Sequence, residues 1–235
     1  MRYFDKLSAW IQPQHLEASC IEALKNRPPQ EFVNGIVLDN FMKPEILDRL
    51  HLVLSDEALL TNRYQLVFSD DHGSVSEEAF FNAPESSRIA WFLYVSGVKP
   101  EYLMSRNWIT YLKFLNFYAE LFPRFLEAFS GYRLSKDYSS THAQRYEHFL
   151  KKHSDVRGKR RICTVLYLSP DWQPEFGGAL HLCLENGEEK MIDAVHNRLV
   201  IFYPGPETVH YVGRHTEQAL DKSRDCHVAW YCDVE

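Results

Sequence analysis

Residues Arg145–Leu184 read RYEHFLKKHSDVRGKRRICTVLYLSPDWQPEFGGALHLCL, and the triplet His153-Ser154-Asp155 inside them decides how the chain is read. In extended backbone, residues two apart point to the same side. An H-x-D triplet at a strand end therefore aims one imidazole and one carboxylate at one point. A second imidazole from a neighbouring strand would complete a 2-His-1-carboxylate facial set. That donor set suits non-haem iron(II) and leaves coordination positions open. The strongest candidate for the second imidazole is His210, at the end of PGPETVH.

A lone H-x-D triplet carries little weight in a chain with 11 histidines. Its downstream neighbours, in their order, raise this one: an apolar strand, Ile162 to Leu168, and a turn, Ser169-Pro170-Asp171-Trp172. Next come Gly177-Gly178, an alternating strand to Leu184, an apolar strand from Leu199 to Tyr203, and His210. Arg224 then leads into His227-Val228-Ala229-Trp230-Tyr231. For the first histidine the rival is His148, which lacks an acid two residues on. For the distal one the rivals are His215, in a polar loop expected to be exposed, and His227, on the strand that Arg224 opens. An arginine opening an otherwise apolar strand is costly to bury without an anionic partner. Its fork can hold a carboxylate through two parallel hydrogen bonds. The competing reading of Arg224 is an ion pair with Asp221 or Asp225.

In this order the residues resemble the Fe(II)- and 2-oxoglutarate-dependent dioxygenases of the prolyl-hydroxylase group. The pattern is most similar to the branch that hydroxylates a proline of a ribosomal protein. It runs Tyr146, His153, Asp155, Arg160-Arg161, Tyr167-Leu168, Trp172, Gly177-Gly178, His210, Arg224 and Trp230. The likeness spans roughly the last hundred residues, while Gly35 to Phe41 resembles the entry to such domains less specifically. The resemblance implies His153, Asp155 and His210 as iron ligands and Arg224 as the anchor of the distal carboxylate of 2-oxoglutarate. Tyr167 would share that carboxylate and Tyr146 would lie near the cosubstrate. The implied reaction uses O2 and 2-oxoglutarate to hydroxylate a C–H bond, with succinate and carbon dioxide as co-products and ascorbate as a reductant. The implied substrate is a prolyl residue of a protein or peptide, ribosomal proteins included, with a free amino acid or other small molecule as the alternative. Asp155 disfavours halogenation, which needs that coordination position free. Cys226 stands where many relatives carry Ser, Thr or Ala, and the His210–Arg224 loop is slightly longer than usual. A hydrolase or isomerase with another metal on the same fold would need neither Arg224 nor Tyr167. A binding module that had lost turnover would not need every ligand kept.

Composition agrees. A chain of 235 residues with 45% hydrophobic content can bury a sizeable core, and a single domain over 1–235 is expected. A net charge of -6 argues against direct nucleic-acid binding. The local exception is the basic run Lys151, Lys152, Arg157, Lys159, Arg160 and Arg161, which reads as a solvated loop or as a rim that steers a carboxylate. Five cysteines without a CxxC pair, and no signal-like N-terminus, fit a reducing cytoplasm. No stretch of about 20 apolar residues could span a membrane. A monomer or homodimer is expected.

Periodicity gives an N-terminal helical layer and first strands over 1–130, then a strand-rich core over 131–235. Helices are expected over His15–Arg27, from Pro44 onward, and over Trp108–Phe129 with a break at Pro123. In the last of these, Leu112 and Leu115 join an aromatic stripe read as core. Strands are expected over Phe32–Leu38 and Arg63–Phe68, a turn over Asp70–Ser74, and helix or strand over Ile89–Val95. After Gly131, strands are expected at Tyr132–Asp137, His142–Tyr146, Arg161–Leu168, Leu180–Leu184, Met191–Ala194, Leu199–Tyr203, Val209–Val212 and Asp225–Cys232. Short strands with Gly, Pro and Asn at the joints indicate an antiparallel sandwich or barrel. The resemblance makes it a double-stranded β-helix (jelly roll, cupin-like), with Trp172 and Trp230 filling the space between sheets.

Overall fold

The computed structural model describes residues 2–56, 59–68, 71–96, 105–184, 186–206 and 208–234. Its strands are β1 (Ile36–Leu38), β2 (Leu60–Phe68), β3 (Asp71–Val75), β4 (Arg88–Val95), β5 (Leu134–Gln144) and β6 (Phe149–His153). They continue with β7 (Arg160–Tyr167), β8 (Leu180–Cys183), β9 (Glu189–Ile192), β10 (Leu199–Phe202), β11 (His210–Val212) and β12 (Arg224–Asp233). The main path runs β1-β10-β7-β12-β5-β4-β6-β11-β8-β9, with β2 and β3 added beside β4. This is a mainly β, curled antiparallel sheet, the jelly roll expected, with helices against one face.

Alternation along the strands explains which face each residue serves. In β7, Ile162 and Leu166 join the core shared with the helices, whereas Cys163, Val165 and Tyr167 join the core inside the roll. In β10, Leu199 and Ile201 face the helices, and Val200 and Phe202 face inward. In β12, Ala229 and Tyr231 face the helices, while Arg224, Cys226, Val228 and Trp230 face the interior cavity. The period-two rule thus sends Arg224 inward and His227 outward.

Besides the short α1 (Arg2–Leu7) and α5 (Glu77–Asn82), the helical face is built on α6 (Arg106–Asn116) and α7 (Phe122–Ser130), joined by one π-helical turn over Phe117–Leu121. Trp108, Tyr111, Phe114, Phe117, Tyr118, Phe122, Phe125, Leu126 and Phe129 are all buried. Each such side chain contributes about 1.5–3 kcal/mol relative to exposure. Pro123 causes the break. The turn is set by Phe122 N–H reaching Phe117 O, and the next bond in that register would come from Pro123, which has no N–H. The Tyr118 carbonyl left over accepts instead from the Tyr231 hydroxyl at 3.1 Å, which pins the helices to β12.

His227 is fully buried in that seam, with ring centroids 4.8 Å from Phe114 and 4.4 Å from Tyr118, and its Nδ1 lies 2.8 Å from Thr141 Oγ1. Burial pushes its pKa well below the ordinary value. Burial first, then Arg63 and Arg224, pushes His142 down to about 3. A depressed pKa in the folded state means the unfolded chain takes up the proton first as pH falls. The stability contributed by the neutral form is therefore complete above about pH 6.5 and lost below it. Guanidinium unfolding at about pH 7.5, 6.5 and 5.5 is expected to show stability falling by about 1.4 kcal/mol per pH unit for His227 below the first break, with His142 adding in the same direction. A flat profile would mean that these imidazoles stay hydrated.

Several local expectations are corrected. The helix over His15–Arg27 is a 3-10 turn, Pro13–His15, followed by α2 (Ala18–Lys25). The strand over Phe32–Leu38 is α3 (Pro29–Val33) followed by β1, because Pro29 starts a helical turn and Gly35, at φ 76°, ends it. The two strands expected over Tyr132–Asp137 and His142–Tyr146 are one, β5, which starts at Leu134, ends at Gln144 and is held along its length by β12. Residues 71–74, read as turn, form the β3 arm of a hairpin with β2, while residues 69 and 70 lie outside the described residues. Ile89–Val95 falls within strand β4. Leu112 is 40% exposed, off the buried stripe. The helix expected from Pro44 is α4 (Pro44–Leu54). All five cysteines are free, and among the described residues no helix is long and apolar enough to cross a membrane.

Candidate metal centre and anion pocket

β6 and β11 are antiparallel neighbours, and their register puts His153 directly opposite His210. Asp155, two residues past the end of β6, turns its carboxylate to the same side. Asp155 Oδ2 lies 3.3 Å from His210 Nε2, and Oδ1 lies 3.7 Å from His153 Nε2. One donor atom from each of the three residues falls within 4.8 Å of the others.

Backbone carbonyls fix both imidazole tautomers. His153 Nδ1 lies 2.9 Å from the Lys151 carbonyl and His210 Nδ1 lies 3.1 Å from the Thr208 carbonyl. A carbonyl only accepts, so each Nδ1 carries a hydrogen and each Nε2 is the nitrogen turned inward. Burial, and then the His210 ring, pushes His153 down to about 4, keeping it neutral. For Asp155 burial pushes upward, but the two imidazoles and the nearby Trp230 indole outweigh it and hold the carboxyl below its usual range. Two imidazole nitrogens and a carboxylate thus converge on one point, a donor set that a cation completes. The donors fit iron(II) of the facial 2-His-1-carboxylate type.

The cluster opens into a cavity of about 1120 Å³. Arg224, 3% exposed, reaches the same cavity from β12. Its Nη1 donates to Gln144 Oε1 at 2.7 Å and its Nη2 to the Tyr167 hydroxyl at 3.4 Å. Its Nε is buried without a partner. Among the described residues no carboxylate pairs with this guanidinium. Asp225 faces the other side of the sheet, where its Oδ1 accepts from Ser223 Oγ at 2.6 Å. It lines a separate cavity of about 480 Å³ that does not include the three-residue cluster. A buried cation with only neutral partners calls for an anion.

Of the other expected residues, Tyr167 is fully buried behind Arg224; burial pushes its hydroxyl up to about 12, with the guanidinium pulling the other way. Tyr146 lies in the turn after β5 and is not among the residues lining the cavity. The rivals to the ligand set fall outside it. His148 packs on Trp91, with centroids 4.9 Å apart, and accepts from Arg145 N–H through Nδ1. His215 was expected to be exposed; it is instead buried, bonded to the Arg145 carbonyl at 2.7 Å and packed against Trp172. His227 faces the helices. Trp172 is buried and donates to the Gly177 carbonyl at 3.1 Å, a structural role. Trp230, expected as filler between sheets, lines the cavity and stacks on Tyr138.

Sequence reading missed two supports of the pocket. Gln144 stands opposite Arg224 in the β5–β12 register, a relation invisible until that pairing is known. Gly178, at φ 69°, is more than a turn residue: a Cβ there would come within 2.8 Å of both Arg224 Cδ and His215 Nε2. Only glycine leaves room for the arginine to reach inward.

No curated protein matches the sequence significantly. Among solved structures, the chain resembles a prolyl-4-hydroxylase of Pseudomonas putida at 16% identity and TM-score 0.58, covering 93% of this chain and 99% of that one. It resembles a Trichoplax adhaerens prolyl hydroxylase, solved with a hypoxia inducible factor oxygen degradation domain peptide, at 17% identity and TM-score 0.63, covering 92% and 91%. It also resembles SnoN, a non-heme alpha ketoglutarate dependent epimerase of nogalamycin biosynthesis, at 9% identity and TM-score 0.59, covering 92% and 84%. At these identities the likeness is one of fold. Within that fold, residues 141–232, which carry His153, Asp155, His210 and Arg224, match the family model of the 2OG-Fe(II) oxygenase superfamily.

Proposed function

We propose that this chain is an Fe(II)- and 2-oxoglutarate-dependent dioxygenase that hydroxylates a C–H bond, most concretely that of a prolyl residue in a protein or peptide. The observation that carries the reading is Arg224, a buried guanidinium with no carboxylate partner among the described residues, in the same cavity as the three converged metal donors. When bound, iron(II) with 2-oxoglutarate and O2 supplies C–H oxidation, yielding succinate and carbon dioxide. The chain's own residues do the rest. His153, Asp155 and His210 would hold the metal on one face, their tautomers set by the Lys151 and Thr208 carbonyls. Arg224 would fix the far carboxylate of 2-oxoglutarate, with Gln144 and Tyr167 holding the guanidinium in place. Val165, Leu180 and Phe202 line the cavity and limit water at the donors. The cavity of about 1120 Å³, at the upper end of the range for ligand pockets, leaves room for a substrate side chain beside the cosubstrate. Free thiols suit a reducing compartment such as the cytoplasm, where ascorbate can serve as reductant.

The test is an anaerobic titration of the purified protein with Fe(II) and then 2-oxoglutarate, following the weak visible charge-transfer band. The band is expected in wild type. Gln144→Glu would place a carboxylate on Arg224 in competition with the cosubstrate. Its half-saturation is expected to need at least about tenfold more 2-oxoglutarate, the equivalent of about 1.4 kcal/mol. Absence of the band in folded wild-type protein would overturn the reading.

A further inference from the structure

The basic run 151–161 divides by what its members touch. Lys151 donates to the Glu85 carbonyl at 2.7 Å, Lys152 pairs with Glu189 at 2.9 Å, Arg160 with Asp137 at 2.7 Å and Arg161 with Asp233 at 3.9 Å. Arg157 and Lys159 are different. They lie on the loop that follows the ligand Asp155, they are exposed, and they line the large cavity. Among the described residues neither has an acidic partner. Arg63 reaches the same cavity from β2, with only neutral partners: the Tyr138 hydroxyl at 2.9 Å and the Tyr94 ring at 4.0 Å. The cavity's acids are Asp155, among the metal donors, and Asp137, already neutralised by Arg160. The mouth is therefore cationic on a chain whose net charge is -6. Between the cations lies an apolar shelf. Val156 is 51% exposed, and Tyr138, 41% exposed, stacks on Trp230 with centroids 5.7 Å apart.

We propose that this mouth selects an extended polypeptide carrying Asp or Glu within a few residues of the side chain to be oxidised. The target's neighbours would lie over Tyr138 and Trp230, and the flanking carboxylates would meet Arg157, Lys159 and Arg63. The proposal rests on the cavity being the substrate-oxidising site, and it adds the chemistry of the substrate. Nucleic acid fits the mouth less well. Phosphate-backbone binding typically uses about six to ten cation contacts, and the remainder of the chain repels it.

The test uses the full chain, without added metal, and fluorescein-labelled proline peptides of about twelve residues that differ only in whether the flanks are acidic, neutral or lysine-bearing. Fluorescence anisotropy at low salt is expected to show the acidic peptide binding about three- to tenfold tighter than the neutral one, the range two or three exposed charge pairs supply. The preference should fall to about twofold or less in Arg157→Gln/Lys159→Gln, where only Arg63 remains, and invert in Arg157→Glu/Lys159→Glu. Both positions sit on an exposed loop, so unchanged unfolding midpoints serve as the folding control. Equal affinity for all three peptides, a preference undiminished by the double substitutions, or tighter binding of a single-stranded oligonucleotide would overturn the proposal. Succinate release measured in parallel separates the two readings. Acid preference without cosubstrate turnover would sink the oxygenase alone, and turnover without acid preference would sink the mouth alone.

Discussion

Arg224→Met is expected to leave the protein folded and to weaken 2-oxoglutarate binding by at least about thirtyfold. Truncating one partner of a buried, hydrogen-bonded charge pair costs about 2–5 kcal/mol, which spans about thirty- to several-thousandfold in affinity. Stability should respond differently. Without an anion, the guanidinium is desolvated and offset only by Gln144, Tyr167 and the Cys226 sulfur at 3.8 Å. Methionine removes that desolvation and loses those neutral-acceptor bonds, each worth about 1–3 kcal/mol, so the two changes largely cancel. Ligand-free wild type and Arg224→Met should therefore melt within a few degrees of each other. Added 2-oxoglutarate should raise the melting temperature of Fe(II)-loaded wild type only, because only a ligand that binds the folded state stabilises it. Arg224→Lys should fall between them, keeping the charge and losing the fork. Cosubstrate affinity unchanged in Arg224→Met would place the anion site elsewhere.

The donors were legible in the sequence because their geometry is local or repeats every two residues. His153 and Asp155 are two apart at a strand end, and the apolar order of β7, β10 and β12 pointed to a curled antiparallel sheet. His210 was identified by order along the chain, and the β6–β11 register then set it opposite His153. The hidden features depend on long-range pairing. Gln144 matters because it lies opposite Arg224 across β5 and β12, 80 residues away in sequence. His215 looked exposed because its neighbours in the chain are polar, yet its loop folds back so that Arg145 and Trp172 enclose it. The hairpin of β2 and β3 was misread because Asp71, His72, Gly73 and Ser74 have turn chemistry, which tertiary pairing overrode. The same hairpin carries His72 and Gly73 into the cavity wall, so a short-range misreading concealed part of the site.

Asp155→Asn should separate metal binding from folding in a way no other single change at the centre does. The three donors meet as two Nε2 lone pairs and one carboxylate, and only the carboxylate carries charge to offset a dication. Structural Zn(II) sites bind with about 10–16 kcal/mol over four donors, or about 2.5–4 kcal/mol per donor. Loss of the anionic donor should weaken Fe(II) binding several hundredfold, read by competition with a chelating dye. Removing the metal's grip need not loosen the protein. The asparagine amide has the shape of the carboxylate and can donate from Nδ2 to His210 Nε2, which lies 3.3 Å from the present oxygen. That bond replaces the one the carboxylate shares with His210, each worth about 1 kcal/mol, so the exchange is close to neutral. Metal-free Asp155→Asn should accordingly melt no lower than metal-free wild type, and should gain nothing when Fe(II) is added, whereas wild type gains. A metal-free variant that is clearly less stable would mean that Asp155 holds the fold through contacts beyond these imidazoles. A variant that still binds Fe(II) tightly would mean that the cation sits elsewhere. The expected pair of outcomes, equal stability with lost binding, is the behaviour of a side chain placed for the ion it receives and not for the fold.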